Sequence, residues 1–353
     1  MTSGSPNTGN GRACMAPDAT AELDPPQRGG FGRMLVTGCA GFIGSHLCER
    51  LVDDGRSVIG VDCFTDYYAR DTKEANLERL RSEPRFALQE LDLSEDDLDP
   101  CLEDVDTVYH LAAQPGVRGS FDEGFEHYVR CNILATQRLL EAVVRASSPP
   151  LFVYASSSSV YGDASDFPTG ESRARAPRSP YGLTKVATEE LTEVYRRGSG
   201  LRTVGLRYFT VYGPRQRPDM AFARFIAAAL ADRPVEVFGD GSQIRDFTFV
   251  GDAVAGTLAA ARSGRSGSVY NIGGGSQVVL LDAIDLIRTL LDRPVSVKFR
   301  SRGRGDVRRT CSDPRLAARE LHFLPTTTLH DGLRAQIEWA LTRSNGMAAV
   351  ARS

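Results

Sequence analysis

The sequence predicts an α/β fold, a doubly wound parallel sheet followed by a smaller C-terminal mixed α/β lobe. Three observations lead there. Short apolar runs alternate with helical patterns from residue 34 to about 205. A glycine-rich turn joins the first of these runs to the first helical stretch. Residues with distinctive chemistry recur at the carboxyl ends of the predicted strands, where open parallel sheets take up ligands.

The chain has 353 residues, enough for one large domain or a domain with a smaller lobe. Its 41% hydrophobic and 25% charged residues are ordinary for globular proteins and supply a core. A net charge of -3 gives no basis for a nucleic-acid or anionic-membrane partner. The seven cysteines (14, 39, 48, 63, 101, 131 and 311) are scattered without a CxxC pair. That pattern suits reduced thiols in a cytoplasmic protein, neither a disulfide frame nor a zinc site. The five histidines show no ligand spacing, so no metal is expected. No apolar run approaches the roughly 18 residues of a membrane span. Residues 1–33 are rich in Gly, Pro, Ser, Thr and Asn, without a secretory pattern, and are expected to form a disordered leader.

In chain order, Met34-Leu35-Val36-Thr37 is a strand that runs into Gly38-Cys39-Ala40-Gly41-Phe42-Ile43-Gly44 and then a helix over 45–53. Gly38 suits a tight turn, Gly41 lets the backbone approach a pyrophosphate, and Gly44 permits close helix–strand packing. Phe42 and Ile43, between them, are candidate contacts as well. A second strand, 57–62, ends in Asp62, 18 residues after Gly44, where an acid binds the adenosine ribose hydroxyls. The spacing is GxxGxxG, not the commoner GxGxxG, but its place between strand and helix leads us to expect a Rossmann dinucleotide site. A carboxylate there repels a 2′-phosphate, and Cys63 and Phe64 offer no arginine, so NAD is expected over NADP.

Residues 76–81 read as helix and 85–90 as strand, closed by Leu91-Asp92-Leu93, of which Asp92 and Leu93 are candidate cofactor contacts. A buried strand over 104–110 ends in Leu111-Ala112-Ala113-Gln114, small or neutral residues where backbone passes close to a cofactor. One long helical pattern over 121–145 contains Asn132. The apolar strand 151–155 delivers Ser156-Ser157-Ser158-Ser159 at its end. Ser179 is a good N-cap and Pro180 suits the first helical position, so a helix is expected to carry Tyr181 and Lys185 on one face. An ammonium beside a phenol favours the phenolate, which suits Tyr181 to take a proton from a hydroxyl. The expected organisation is a mainly cofactor-binding domain over 34–205 and a mainly substrate-binding lobe over 206–345, with the chain crossing between them.

The residues Thr37 to Gly44, Asp62, His110-Leu111-Ala112-Ala113, Ser157 to Gly162, Tyr181 to Lys185 and Arg207 to Pro214 together resemble the extended short-chain dehydrogenase/reductases of the NAD-dependent nucleotide-sugar epimerase/dehydratase group. The similarity runs from residue 34 to about 340. It implies that Ser157 hydrogen-bonds the sugar O4, with Ser159 a second hydroxyl near the sugar; the run of four serines leaves the position open by one. It implies Tyr181 as acid/base, Lys185 on the nicotinamide ribose, and Asn132 and Tyr208 among the cofactor residues. Dehydratases of the group carry Asp-Glu after the catalytic hydroxyl, and decarboxylating members usually a Glu. Here Ser158-Ser159 stand there, leaving a 4-epimerase, in which hydride leaves C4 and returns to the other face.

The segment 207–220 is most similar to UDP-glucuronate 4-epimerases, which implies that Thr210 and Arg217 bind the uronate carboxylate. A 4-keto uronic acid is a β-keto acid, so the carboxylate must be held out of line with the carbonyl. Val237, Phe238 and Arg245 resemble the uridine and diphosphate segment. Asp306 is implied at the uridine ribose, with the phosphate arginine open among Arg302 and Arg304. UDP-glucose and UDP-N-acetylglucosamine 4-epimerases stay open as alternatives, as does a non-catalytic NAD sensor. A homodimer through a four-helix bundle is implied by the resemblance. Residues 269–274 are expected to be architectural, His110, His127, His322 and His330 to pack or lie at the surface, and the tail after Arg343 to fray.

Overall fold

The computed structural model describes Met1, residues 32–121 and residues 124–350, with side chains to Arg343; of the residues assigned to a leader, all but Met1, Gly32 and Arg33 lie outside these. The described residues from Gly32 onward form one compact unit. Its strands are β1 (Arg33–Thr37), β2 (Ser57–Asp62), β3 (Phe86–Glu90), β4 (Val105–His110), β5 (Leu151–Ser157), β6 (Thr203–Tyr208), β7 (Thr210–Tyr212), β8 (Val235–Phe238), β9 (Ile244–Phe249), β10 (Ser268–Ile272), β11 (Ser276–Val279) and β12 (Val297–Arg300). Its helices are α1 (Phe42–Asp53), α2 (Arg70–Asn76), α3 (Phe125–Tyr128), α4 (Ala135–Arg145), α5 (Pro180–Ser199), α6 (Ala221–Leu230), α7 (Val250–Ser263), α8 (Leu280–Leu291), α9 (Arg315–Leu321) and α10 (Leu329–Val350).

Seven parallel strands form the main sheet in the order β10-β6-β5-β4-β1-β2-β3. Side chains on a strand alternate between faces, and both faces here are buried. Val36, Tyr109 and Val153 pack with α1 and α7 in one core. Their neighbours Leu35, Val108 and Phe152 pack with Leu139, Leu140 and Val143 of α4 in a second. The strand order reverses between β1 and β4, which opens the crevice where such sheets bind ligands.

The chain does cross back. After β9 it returns to the main sheet, where α7 packs on α1 and β10 pairs with β6 from Ser268↔Val204 to Ile272↔Tyr208. What remains is a smaller lobe of two sheets, β11-β9-β7 and β12-β8, with α6, α8 and α10. Its core is aromatic and aliphatic: Phe222 and Phe247 stack at 4.3 Å, with Tyr212, Ile226, Ile284 and Leu333 around them.

Three expectations are corrected. The single helix over 121–145 is broken: α3 and α4 are joined by a π-helical turn over Val129–Leu134, which contains Asn132. Such a turn inserts one residue and re-aims its neighbours; its cause here is the set of hydrogen bonds that Asn132 makes, described below. The second helix begins at Arg70 and has ended by Asn76, leaving only a 3-10 turn over Leu80–Ser82. The tail expected to fray continues α10 as far as Val350.

One buried ion pair binds these elements together. Arg207 of β6 donates from Nε (2.8 Å) and Nη2 (2.7 Å) to the two carboxylate oxygens of Glu189 on α5. Ser156 at the end of β5 donates to the same carboxylate at 2.5 Å. Arg207 Nη1 donates to Tyr161 OH (2.9 Å), whose hydroxyl donates to Asn271 Oδ1 of β10 (2.7 Å). Both partners are almost wholly buried. Burial alone would raise the Glu189 carboxyl; the hydrogen bonds and charge of Arg207, with Ser156, hold it below the ordinary value. Glu189→Ala leaves Arg207 buried and unpaired, and is expected to cost about 3–5 kcal/mol in urea unfolding at neutral pH. Because the native carboxyl is depressed, its contribution is present above the ordinary pKa of 4.5 and is lost as acid protonates it; the wild-type and variant unfolding curves should converge on acidification.

Candidate active site

The crevice is a cavity of about 430 Å³. It is lined from the turn after β1, the ends of β2, β4 and β5, the start of α5 and the segment from Tyr208 to Val211. Gly38 sits at φ +72° and donates to Val61 O at 2.7 Å. A Cβ there would stand 2.8 Å from Ala112 N, and one on Gly44 only 2.1 Å from Gly38 O. Helix α1 begins at Phe42 with Gly41 as N-cap and no side chain bonded to its first amides. Gly38, Gly41, Phe42, Ile43 and Gly44 all line the cavity, so an uncapped helix N-terminus faces it, which is a seat for an anion.

Asp62 is buried at the end of β2. It accepts from Phe64 N (2.8 Å) and Ala40 N (3.2 Å), which fixes its carboxylate at the cavity wall. Lys73, unforeseen in the sequence, lies 3.4 Å from it, buried, with its ammonium over the Tyr68 ring at 5.4 Å. The cation absent from Cys63 and Phe64 thus arrives eleven residues after Asp62. The late start assigned to the second helix hid it; placed on α2, Lys73 turns back towards β2.

Asp92, Leu93, Leu111, Ala112, Ala113 and Gln114 also line the cavity. Asp92 is held by Ser94 and by Arg130 at 2.6 Å. Asn132 does not line the cavity. It accepts from Gln114 N (2.7 Å) and donates to Gln114 O (3.0 Å) and Thr184 Oγ1 (2.9 Å), so it braces the cavity wall against α5 from behind. His110 is core, as expected, set between Thr37 and Thr136, and burial lowers its pKa to about 3.

Ser157, Ser159, Tyr181 and Lys185 meet on one wall. Ser179 caps α5 by accepting from Gly182 N at 3.1 Å, which starts the helix just before Tyr181. Ser157 Oγ donates to Ser159 Oγ at 3.1 Å, and Ser157 lies near enough to Tyr181 to act on its pKa. The expected lowering of the Tyr181 pKa is corrected. Burial raises it, with Ser157 and then Arg217 acting against the rise. Lys185 instead donates to Ala155 O at 2.9 Å, and burial brings its pKa down to about 8 despite Glu189.

Tyr208, Thr210 and Arg217 line the cavity as well. The Tyr208 hydroxyl bonds Thr257 at 2.6 Å, so it offers the cavity its ring. Val237, Phe238, Arg245 and Asp306 are not part of this lining. The Val237 side chain belongs to the small-lobe core, so a ligand role for it is confined to its backbone. Arg118 draws the others together: its guanidinium lies 3.8 Å over the Phe238 ring and bonds Asp306 at 2.7 Å. Arg245 feels Asp306, Arg302 and Arg118, and burial lowers its pKa. Arg302 itself donates to Asp306 O.

Residues 34–273 match the family model described as NAD dependent epimerase/dehydratase family. The chain belongs to that family. Its relatives include a Bacillus subtilis protein named uncharacterized UDP-glucose epimerase YtcB, 44% identical over 309 residues, covering 87% of this chain and 97% of the relative. Among solved structures, UDP-glucuronic acid 4-epimerase from Bacillus cereus, in complex with UDP-glucuronic acid and NAD, is 42% identical with a TM-score of 0.86, covering 88% and 99% of the two chains. MoeE5 in complex with UDP-glucuronic acid and NAD is 44% identical, with a TM-score of 0.79 and coverage of 88% and 100%. A second MoeE5 structure holds UDP-glucose and NAD.

The family's cofactor fits the residues present. The uncapped start of α1 suits a pyrophosphate, the close approaches at Gly38 and Gly44 leave no room for a side chain, and Asp62 stands where a ribose hydroxyl needs an acceptor. Gly44→Ala forces backbone apart at the Gly38 carbonyl. Nucleotide released by acid from the purified variant is expected to fall to under about a tenth of the wild-type amount, measured by chromatography.

Proposed function

We propose that this chain epimerises a UDP-sugar at C4, converting UDP-glucuronate to UDP-galacturonate, with NAD held at the β1–α1 turn and the sugar nucleotide carried by the small lobe. The observation that carries the reading is the placement of Arg217 in the same cavity as Tyr181, near enough for its charge to lower the tyrosine pKa. A guanidinium beside the acid/base is what a sugar carboxylate at C5 requires next to a reacting C4.

When bound, NAD accepts a hydride from C4 and supplies it back to the opposite face. Tyr181 takes the O4 proton, with Ser157 beside it, and gives it back as the keto sugar is reduced. Lys185 binds the nicotinamide ribose. Ser159, hydrogen-bonded to Ser157, keeps that hydroxyl aimed at O4. Thr210 and Arg217 hold the carboxylate out of line with the keto group, which prevents loss of CO₂. Ser158 and Ser159 offer no carboxylate for eliminating water. Arg245 and Asp306 serve the diphosphate and ribose, with Arg118 added to them by its bond to Asp306. UDP-glucose is a second substrate reading, favoured by the pairing of Arg217 with Asp219, which leaves no bare cation facing a neutral sugar.

A homodimer through α4 and α5 is supported by the exposure of Leu134, Leu183 and Val194, large apolar side chains on or beside these helices. Among the described residues no helix is long and apolar enough to cross a membrane, and the six described cysteines are free, which supports a cytoplasmic reading.

Tyr181→Phe is expected to lower kcat by about 10³ or more while NAD still copurifies, with products followed by NMR from UDP-glucuronate without added cofactor. Full activity in that variant would overturn the assignment of the base. The Lys185 ammonium is lost as pH rises through about 8, and its hold on the nicotinamide ribose with it. An alkaline fall in kcat with a midpoint near pH 8 is therefore expected in the wild type, and its absence from the residual activity of Lys185→Met.

A further inference from the structure

Arg217 does not face the cavity as a free cation. Its Nε donates to Asp219 Oδ1 and its Nη2 to Asp219 Oδ2, each at 3.0 Å, a bidentate pair along one edge of the guanidinium. Tyr67 holds Asp219 from the other side, donating to Oδ2 at 3.2 Å, with its ring 6.0 Å from the guanidinium. Tyr67 is itself seated against the 115–117 turn, where a Cβ on Gly116 would come within 2.8 Å of its hydroxyl. Burial disfavours the Arg217 charge, and Asp219 more than restores it.

A guanidinium has five N–H donors. Asp219 takes one from Nε and one from Nη2. The edge left for a ligand is the Nη1 end with the second Nη2 hydrogen. A sugar carboxylate received there shares its cation with a second carboxylate, and the three groups carry a net charge of minus one. A neutral sugar finds the cation already balanced.

From this geometry we propose that Asp219, steadied by Tyr67, is a positioning residue that sets the discrimination between acidic and neutral UDP-sugars. It holds Arg217 in place, lowers affinity for the uronate by sharing the guanidinium, and keeps the site tolerant of UDP-glucose. The inference rests on the uronate reading above and deepens it.

The test is calorimetric titration of the NAD-loaded protein with UDP-glucuronate and with UDP-glucose, for wild type, Asp219→Asn, Tyr67→Phe and Arg217→Met, alongside KM and kcat for each sugar. Asp219→Asn is expected to raise the ratio of uronate to glucose affinity about tenfold at low salt, with the gain shrinking in high salt. KM for the uronate should follow Kd while kcat changes little. Tyr67→Phe keeps the carboxylate and should shift the ratio the same way by a smaller factor, which preserves the test if Asp219→Asn folds poorly. A ratio unchanged in both variants, or moved towards the neutral sugar, overturns the inference. If Arg217→Met binds UDP-glucuronate as well as wild type does, it is the uronate reading that fails. If Arg217→Met loses the uronate alone and the other two variants leave the ratio unmoved, only the role of Asp219 fails.

Discussion

The buried pair of Arg207 and Glu189 is the interaction on which the site's geometry depends. It joins β6 to α5, and through Ser156 it reaches the end of β5, so the serine run and the tyrosine helix are fixed to one ion pair. Through Tyr161 it continues to Asn271 on β10. A buried pair returns little net stability, because both ions give up their hydration. Its value here is positional. Ser157 follows Ser156 directly, and Lys185 lies one helical turn before Glu189, so a shift in this pair would be felt at both.

Much of this was legible in the sequence, for identifiable reasons. The parallel sheet was visible because strands buried on both faces read as short apolar runs, as in β1 and β5. The glycine turn was visible because steric need leaves a clear mark: nothing larger fits at Gly38 or Gly44. The meeting of Ser157, Tyr181 and Lys185 followed from strand ends and helical spacing. Contacts made where the chain folds back on itself were not visible. Lys73 reaches Asp62 because α2 folds back on β2, and Arg118 reaches Asp306 across most of the chain. Neither position stands out by residue type or spacing.

The π-helical turn around Asn132 was missed because the apolar pattern of 121–145 suits an unbroken helix. Only the demand of Asn132 for three partners, on Gln114 and Thr184, gives a reason for the extra residue. The tyrosine pKa was misjudged for a related reason. Spacing placed an ammonium on the same helix face, yet Lys185 spends its hydrogen bond on Ala155 O, and desolvation outweighs what Ser157 and Arg217 contribute. Residue spacing reports neighbourhood, whereas charge balance depends on burial.

The return of the chain from β9 to β10 has a mechanical consequence. The small lobe is covalently tethered to the main sheet on both sides of β10 and again after α9, in place of a single linker. Two bodies stitched at several points resist swinging apart as they would on one hinge. A keto sugar that must turn over between losing and regaining its hydride therefore does so between walls anchored to the same sheet. Retention of the intermediate is then a property of how the backbone is threaded, built in before any side chain touches the sugar.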